Sequence, residues 1–325
     1  MFSIVVPLYN KKPYVGRCVE SILKQSFRDF ELIVVDDGSS DGGLLELVNI
    51  SDPRLILLQQ KNAGVGIARN SGIEKAKHEW VAFIDADDVW LENHLEELNK
   101  IINSYPDSGL VATSHVEYFD GGKMPVVDNE GSNVYNCDYF QEAIKKIGIV
   151  WTSATAVNRS AVNAVGGFKN FRLGEDLELW ARLALHYPVA ISSKVTAIYY
   201  RGTGGLMDTL SIEKDKNINK IQLDKISPSV SLLVDFMNNT KYLSKRNSIV
   251  GYINSRIYSS IRGALYCGNV SDTKLYGELL LSPMVLKFRL LKCVLLLPSF
   301  VINAMLNFIN FMKSLKRSFR NWKFN

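Results

Sequence analysis

At 325 residues, with 47% hydrophobic and 22% charged residues, the chain is long enough for one large core or two modest ones, and its composition excludes disorder. Its net charge of +5 is unevenly spread: eight of the 38 lysines and arginines follow Glu278, the last of the 33 acids, so 30 bases face 33 acids up to that point. A slightly acidic body with a basic tail excludes a uniformly basic nucleic-acid binder, and no nucleic-acid partner is expected.

The opening MFSIVVPLYN lacks a basic leader, a long apolar segment and a small-residue cleavage site, so a non-secreted, cytoplasmic chain is expected. Cys18, Cys137, Cys267 and Cys293 lie far apart without metal-ligand spacing, which suits a reducing compartment. SIVVPL predicts a buried strand and YVGRCVESILKQ a helix whose stripe is Val15, Cys18, Val19, Ile22 and Leu23. Asn10 is placed to cap that helix, with Pro13 in its first turn. Next come ELIVVDDGSSDGG and RLILLQQ as strands, GVGIARNSGIEKA as a loop and helix, and EWVAFIDADD as a strand and loop. LENHLEELNKII predicts a helix from about Leu91, and GLVATSHVEYF another strand. Short Ile/Val/Leu strands alternating with helices predict an α/β fold with a mainly parallel central sheet, covered on both faces, that binds ligands at its strand ends.

From about residue 120 the pattern loosens, with GEDLELWARLALHY as an amphipathic helix, VTAIYYR as a strand and helices over 211–280. Residues 293–312 carry no charge, yet Ser299, Asn303, Asn307 and Asn310 form a polar stripe and Pro298 interrupts the run. The favoured reading is a helix in the membrane interface, flanked by cations that attract anionic lipid; a helix on the protein's own core and a true span are the alternatives.

Four stretches can carry chemistry. In VVDDGSSDGG, Asp36 and Asp37 are placed to accept hydrogen bonds from a base or ribose, or to make a turn and cap. NAGVGIARNSG has a GxG without the third glycine of a dinucleotide fingerprint, so a polar loop with Arg69 or Asn70 near phosphate or base is preferred. FIDADD sets Asp85, Asp87 and Asp88, oxygen-only ligands suited to Mg²⁺ or Mn²⁺, after a buried strand; the alternative is a solvated loop capping the next helix. A diphosphate beside these acids is repelled unless a cation lies between them. In GEDLELW, Glu175 and Asp176 open a helix; its dipole favours acids there and also keeps Asp176 ionised, as a base requires.

Together, FSIVVPLYNKKPYVGRCVESILKQSFRDFELIVVDDGSSDGG, NAGVGIARNSGIEKAKHEWVAFIDADD and GGFKNFRLGEDLELWARL resemble glycosyltransferase family 2 over about residues 1–205. The resemblance implies a GT-A fold, a nucleoside-diphosphate sugar donor, Mn²⁺ or Mg²⁺, and inversion at the anomeric carbon. It implies that Pro7, Tyr9, Asp36 and Asp37 hold the nucleoside, that Asn62 and Arg69 line the donor pocket, and that Asp85 contacts the ribose side. Asp87 would bind the metal, with Asp88 beside it, and Asp176 would be the base. Gly166, Gly167, Phe168, Glu175 and Trp180 would shape the acceptor side. Relatives often carry a histidine after the YYR strand, where this chain has Thr203 and glycines; Arg201 is expected at the diphosphate.

The expected organisation is a GT-A domain over 1–210, divided at 115/116 into nucleotide-sugar and acceptor halves, a helical extension over 211–284, and a basic membrane-association segment over 285–325. The expected activity joins a UDP-sugar to a polyprenyl-diphosphate-linked saccharide for a bacterial surface polysaccharide, O-antigen or capsule, on the inner face of the plasma membrane. An inactive nucleotide-binding module and a nucleotidyltransferase are the alternatives, and a homo-oligomer is left open.

Overall fold

Strands β1 (Phe2–Leu8) and β2 (Phe30–Asp36) are buried along their whole length, which only a sheet covered on both faces allows. The computed structural model describes residues 2–119, 122–123, 125–146, 148–204, 226–237, 239–266, 269–282, 285–302 and 304–305. Within them the chain forms two units, Met1–Asn217 and Ile218–Asn325.

In the first unit, β3 (Leu55–Gln59), β2, β1 and β4 (Trp80–Phe83) lie side by side and parallel. Helix α1 (Lys12–Leu23) buries Val15, Cys18, Val19 and Ile22, as its spacing predicts. Asn10 does not cap it. Its backbone takes φ 50°, its Oδ1 accepts from the Ser40 N–H, and Asp41 accepts the orphan Lys12 N–H instead. Helix α2 (Val65–Lys75) crosses β1 so closely that a Cβ on Gly72 would overlap the Val5 side chain. A two-residue strand, β5 (Val89–Trp90), intervenes before α3 (His94–Ser104), so that helix starts later than expected.

Past α3 the sheet becomes mixed. Strand β6 (Leu110–Phe119) and β8 (Thr155–Asn158) are antiparallel, β8 also runs antiparallel to β4, and β9 (Val189–Arg201) is parallel to β6. Two short edge pairs, β5 and β7 (Val134–Cys137), lie antiparallel to β9. The order is β3-β2-β1-β4-β8-β6-β9-β5. Because β8 runs against β4, the segment entering β8 arrives at the same edge where β4 leaves. That reversal brings a 3₁₀ turn, Thr152–Ala154, beside the FIDADD loop. Helices α4 (Tyr139–Lys145), α5 (Arg159–Val165) and α6 (Glu175–His186) complete the unit.

The second unit is helical: Pro228–Phe236, Arg246–Tyr266, Val270–Glu278 and Leu286–Leu295. Asn254 ties the turn after Glu278 to the long helix, its amide exchanging two 2.8 Å hydrogen bonds with Leu281. Among the described residues no helix is long and apolar enough to cross a membrane. Residues 211–225 of the expected helical extension lie outside the described residues, as do Cys267, Asn303, Asn307, Asn310 and everything from 306 onward.

His94 makes the fold pH-sensitive. It stacks on Trp90 at 4.1 Å, its Nδ1 lies 2.7 Å from Thr196 Oγ1, and burial lowers its pKa to about 3. Below the unfolded value near 6.5 the unfolded chain binds a proton that the folded chain refuses. This contribution is therefore complete above pH 6.5 and lost as pH falls toward 3. Denaturant midpoints at stepped pH should show His94→Gln flattening the acid limb by about 1.4 kcal/mol per pH unit; an unchanged slope contradicts the assignment.

Candidate active site

The ends of β1, β2 and β4 and the Thr152–Ala154 turn meet at one edge of the sheet. The β1–β4 ladder stops at Val5↔Phe83, two residues short of Pro7, which has no N–H to offer. Tyr9 follows and is 51% exposed, so its ring is available to a flat ligand. Asp36 and Asp37 are buried beneath this edge and spent on the protein. Asp36 accepts from Ser39 N–H at 3.0 Å and Gln59 Nε2 at 3.1 Å. Asp37 accepts from Gln60 Nε2, Ala63 N–H and Gly64 N–H at 2.8–2.9 Å. They shape the loop that presents Asn62, itself exposed, rather than reaching outward.

Each acid of FIDADD has a separate answer to its neighbours' charge. Asp85 accepts from Arg69 Nη2 at 2.7 Å. Asp87 holds Lys11 Nζ at 2.7 Å and accepts from Thr203 Oγ1 at 2.7 Å. Asp88 is a correction to the sequence reading. It has no exposed surface, accepts from Tyr200 N–H at 2.9 Å, and is hydrogen-bonded by Ser153 Oγ, so it fastens the loop to β9 instead of facing a metal. Burial, with Asp85 and Asp87 close by, pushes its carboxyl well above the usual range. Burial and the same three acids push up the Cys18 thiol, which removes it as a nucleophile at neutral pH.

Asp85, one-third exposed, and Asp87, with the Thr203 hydroxyl, form a hard oxygen donor set. It fits Mg²⁺ or Mn²⁺ bound by one or two carboxylates, with ligand phosphates completing the shell. Among the described residues no cluster of three or more His, Cys, Asp or Glu forms a self-sufficient metal cage.

Arg69 joins this loop to α6. It is 3% exposed and holds Asp85 and Glu175 at 2.7 Å each. Burial alone would lower its pKa, but the Asp85 and Glu175 carboxylates outweigh it and the net shift is upward. Glu175 is pushed up by burial and by Asp176, against the pull of Arg69. Gly174, at φ 79°, turns the chain into α6 so that Asp176 stands in the first turn. Asp176 is half-buried; Oδ2 accepts from Thr152 Oγ1 at 3.0 Å, and Oδ1 from Leu177 N–H at 2.7 Å. Of the acids on this helix end, it alone is neither buried nor paired with a base.

The residues expected to shape the acceptor side divide differently. Trp180 has no exposed surface and Phe168 2%, and both pack on Phe83 under the sheet edge, which makes them core. Gly166 and Gly167 end α5 in left-handed conformations, and Asn70 clamps the Phe168 backbone with paired 2.8 Å hydrogen bonds. Sequence reasoning missed Lys11, Thr152 and Ser153. Lys11 lay in the quoted NKK run, but nothing in sequence marked the turn before β8, whose place depends on an antiparallel pairing with β4 that joins Phe83 to Thr155.

A family model described as Glycosyl transferase family 2 matches residues 3–166. An uncharacterized glycosyltransferase of Rickettsia bellii (strain RML369-C) is 28% identical over 267 residues, 75% of this chain and 36% of that protein. A protein of Escherichia coli, UDP-Glc:alpha-D-GlcNAc-diphosphoundecaprenol beta-1,3-glucosyltransferase WfgD, is 38% identical over 97 residues, 30% of this chain and 38% of that one. The chain thus spans under half the length of these curated relatives. Among solved structures, S. aureus TarS 1-349 in complex with UDP-GlcNAc aligns with TM-score 0.67 at 18% identity, over 86% of this chain and 81% of that one. The mannosyltransferase PcManGT from Pyrobaculum calidifontis, in complex with GDP-Man and Mn²⁺, aligns with TM-score 0.55 at 15% identity, over 94% and 86%. At such identities the likeness establishes the GT-A fold.

Removing Arg69 leaves the largely buried Glu175 and the part-exposed Asp85 without the cation they share. Arg69→Met is expected to cost about 3–5 kcal/mol in denaturant unfolding, with part of the loss recovered in the Arg69→Met/Glu175→Gln double variant. Single and double variants of equal stability would show that the bridge does not couple the two elements.

Proposed function

Since the chain belongs to glycosyl transferase family 2, we propose that it moves a sugar from a nucleoside-diphosphate sugar to a hydroxyl of a lipid-linked saccharide, with inversion at the anomeric carbon. One observation carries this reading: through Arg69, the Asp85–Asp87 loop is tied to the helix that presents Asp176. An acidic loop suited to a cation-bound diphosphate and an unpaired carboxylate are thereby held at one sheet edge.

The reaction is a single displacement. The acceptor oxygen bonds to the anomeric carbon as the carbon–phosphate oxygen bond breaks, and the nucleoside diphosphate leaves with the electron pair. Asp176 takes the acceptor's proton, its carboxylate held in orientation by Thr152 Oγ1 on one oxygen and the Leu177 N–H on the other. Asp87 and Asp85 would hold Mn²⁺ or Mg²⁺, which would supply charge neutralisation at the leaving diphosphate. Tyr9 offers a stacking surface to the base, over a floor fixed by Pro7, Asp36 and Asp37.

UDP as the nucleotide is supported by TarS, solved with UDP-GlcNAc, and by the UDP-Glc in the name of WfgD. The same name, with its GlcNAc-diphosphoundecaprenol acceptor, supports a polyprenyl-diphosphate-linked acceptor and a role in bacterial surface polysaccharide synthesis. The second unit supports a peripheral membrane location. Helix Leu286–Leu295 buries Phe288 and Leu295, yet Leu286, Leu290 and Cys293 form an exposed stripe that Leu297 continues. Lys287, Arg289 and Lys292 accompany that stripe, an arrangement suited to anionic lipid.

Nucleotide-sugars screened with Mn²⁺ should release UDP and no pyrophosphate; pyrophosphate release would make the chain a nucleotidyltransferase. Asp176→Asn is expected to lower kcat about 10²–10⁴-fold while calorimetric UDP affinity holds, and parental turnover would remove the base. Asp87→Asn should abolish the chelator-sensitive part of UDP affinity, whereas Asp88→Asn should leave it intact. Leu286→Ser/Leu290→Ser should reduce co-sedimentation with phosphatidylglycerol vesicles, and full retention would reject the membrane face.

A further inference from the structure

Strands β6 and β9 stay paired from His115↔Ala197 to Phe119↔Arg201, with β5 beside β9 at Ala197 and Ile198 and, among the described residues, only two strands beyond them. Alternation places His115, Glu117 and Phe119 of β6 on one face with Ala197, Tyr199 and Arg201 of β9. Trp151 covers that face. Its ring lies 4.4 Å from Tyr199 and 5.1 Å from His115, and it immediately precedes Thr152, the hydrogen-bond donor to Asp176. Arg201 extends the layer, its guanidinium 5.4 Å from the Tyr199 ring and 5.9 Å from the Phe119 ring. The opposite face belongs to other business: Tyr200 is buried under Arg17, which donates to the Asp87 carbonyl.

Packing explains only part of this layer: Trp151 rests on the core, whereas the outer end of the layer does not. Phe119 stands at its end 62% exposed, with the Arg201 guanidinium beside its ring. Arg201 has no carboxylate partner among the described residues. Burial and Lys146 hold the His115 pKa down to about 4, so its ring is uncharged at neutral pH.

We propose that the Trp151–Tyr199–Phe119 layer is a platform for a sugar ring of the acceptor, stacked so that its hydroxyl meets Asp176, with Arg201 bonding to its oxygens. A pyranose presents a row of C–H groups on one face and hydroxyls at its rim. Aromatic rings match the first, and a planar, five-donor guanidinium matches the second. Position favours the acceptor over the donor: the layer adjoins the Thr152–Asp176 pair, while Arg17, which donates to the Asp87 carbonyl, lies over Tyr200 on the other face of β9.

The platform rests on the glycosyltransferase reading, and the test separates the two. With full-length protein, the KM for a GlcNAc-diphosphoundecaprenol probe and the KM for the nucleotide-sugar are measured side by side. Phe119→Ala, which removes only an exposed ring, and Trp151→Ala should each raise acceptor KM about tenfold while donor KM holds, and Phe119→Tyr should restore it. Equal effects on both substrates, or none on the acceptor, overturn the platform. A parent protein that uses the donor but transfers to none of the lipid-linked saccharides overturns the acceptor class named here. A parent inert toward every nucleotide-sugar overturns the enzyme reading first, and donor consumption without acceptor reveals it.

Discussion

A guanidinium almost sealed from water, between Asp85 at the end of β4 and Glu175 at the start of α6, is the constraint on which the site depends. Arg69 reaches both from α2 because Gly72 lets that helix lie close on β1. Burying a cation is costly unless its partners are placed well, and once they are, neither can move alone. The acidic loop and the helix carrying Asp176 therefore share one position, although 88 residues separate Glu175 from Asp87 in the chain.

The remaining acids show how a chain keeps repelling charges together. Asp88 is withdrawn from solvent and favours its proton, Asp87 is met by Lys11 and Thr203, and Asp85 by Arg69. Three carboxylates in four residues thus amount to far less repulsion than their formal charge. Lys11 and Thr203 come from opposite ends of the first unit, so a polyanion reaching Asp87 meets a cation and a hydroxyl already in place.

Much of the fold was legible. The α1 stripe, the run of parallel strands and the acids at their ends follow from period and composition, because burial on one face or two leaves a one-dimensional trace. Asn10 misled because a residue that favours caps also tolerates positive φ, and the second property won. Asp88, Phe168 and Trp180 misled differently. Motif position gives a residue's place along the chain but not its direction, and these three point inward.

By itself the sequence determined the α/β class, the sheet edge that carries the acids, and the two carboxylate motifs, since each depends on local spacing. Tertiary structure alone decided which acids face outward and which are struts, that Arg69 spans two of them, and that Trp151 and Thr152 stand beside Asp176. The physical reason is β8: one antiparallel strand in an otherwise parallel neighbourhood delivers the turn before it to the edge that carries the acids, and a pairing direction leaves no mark in a hydrophobic pattern.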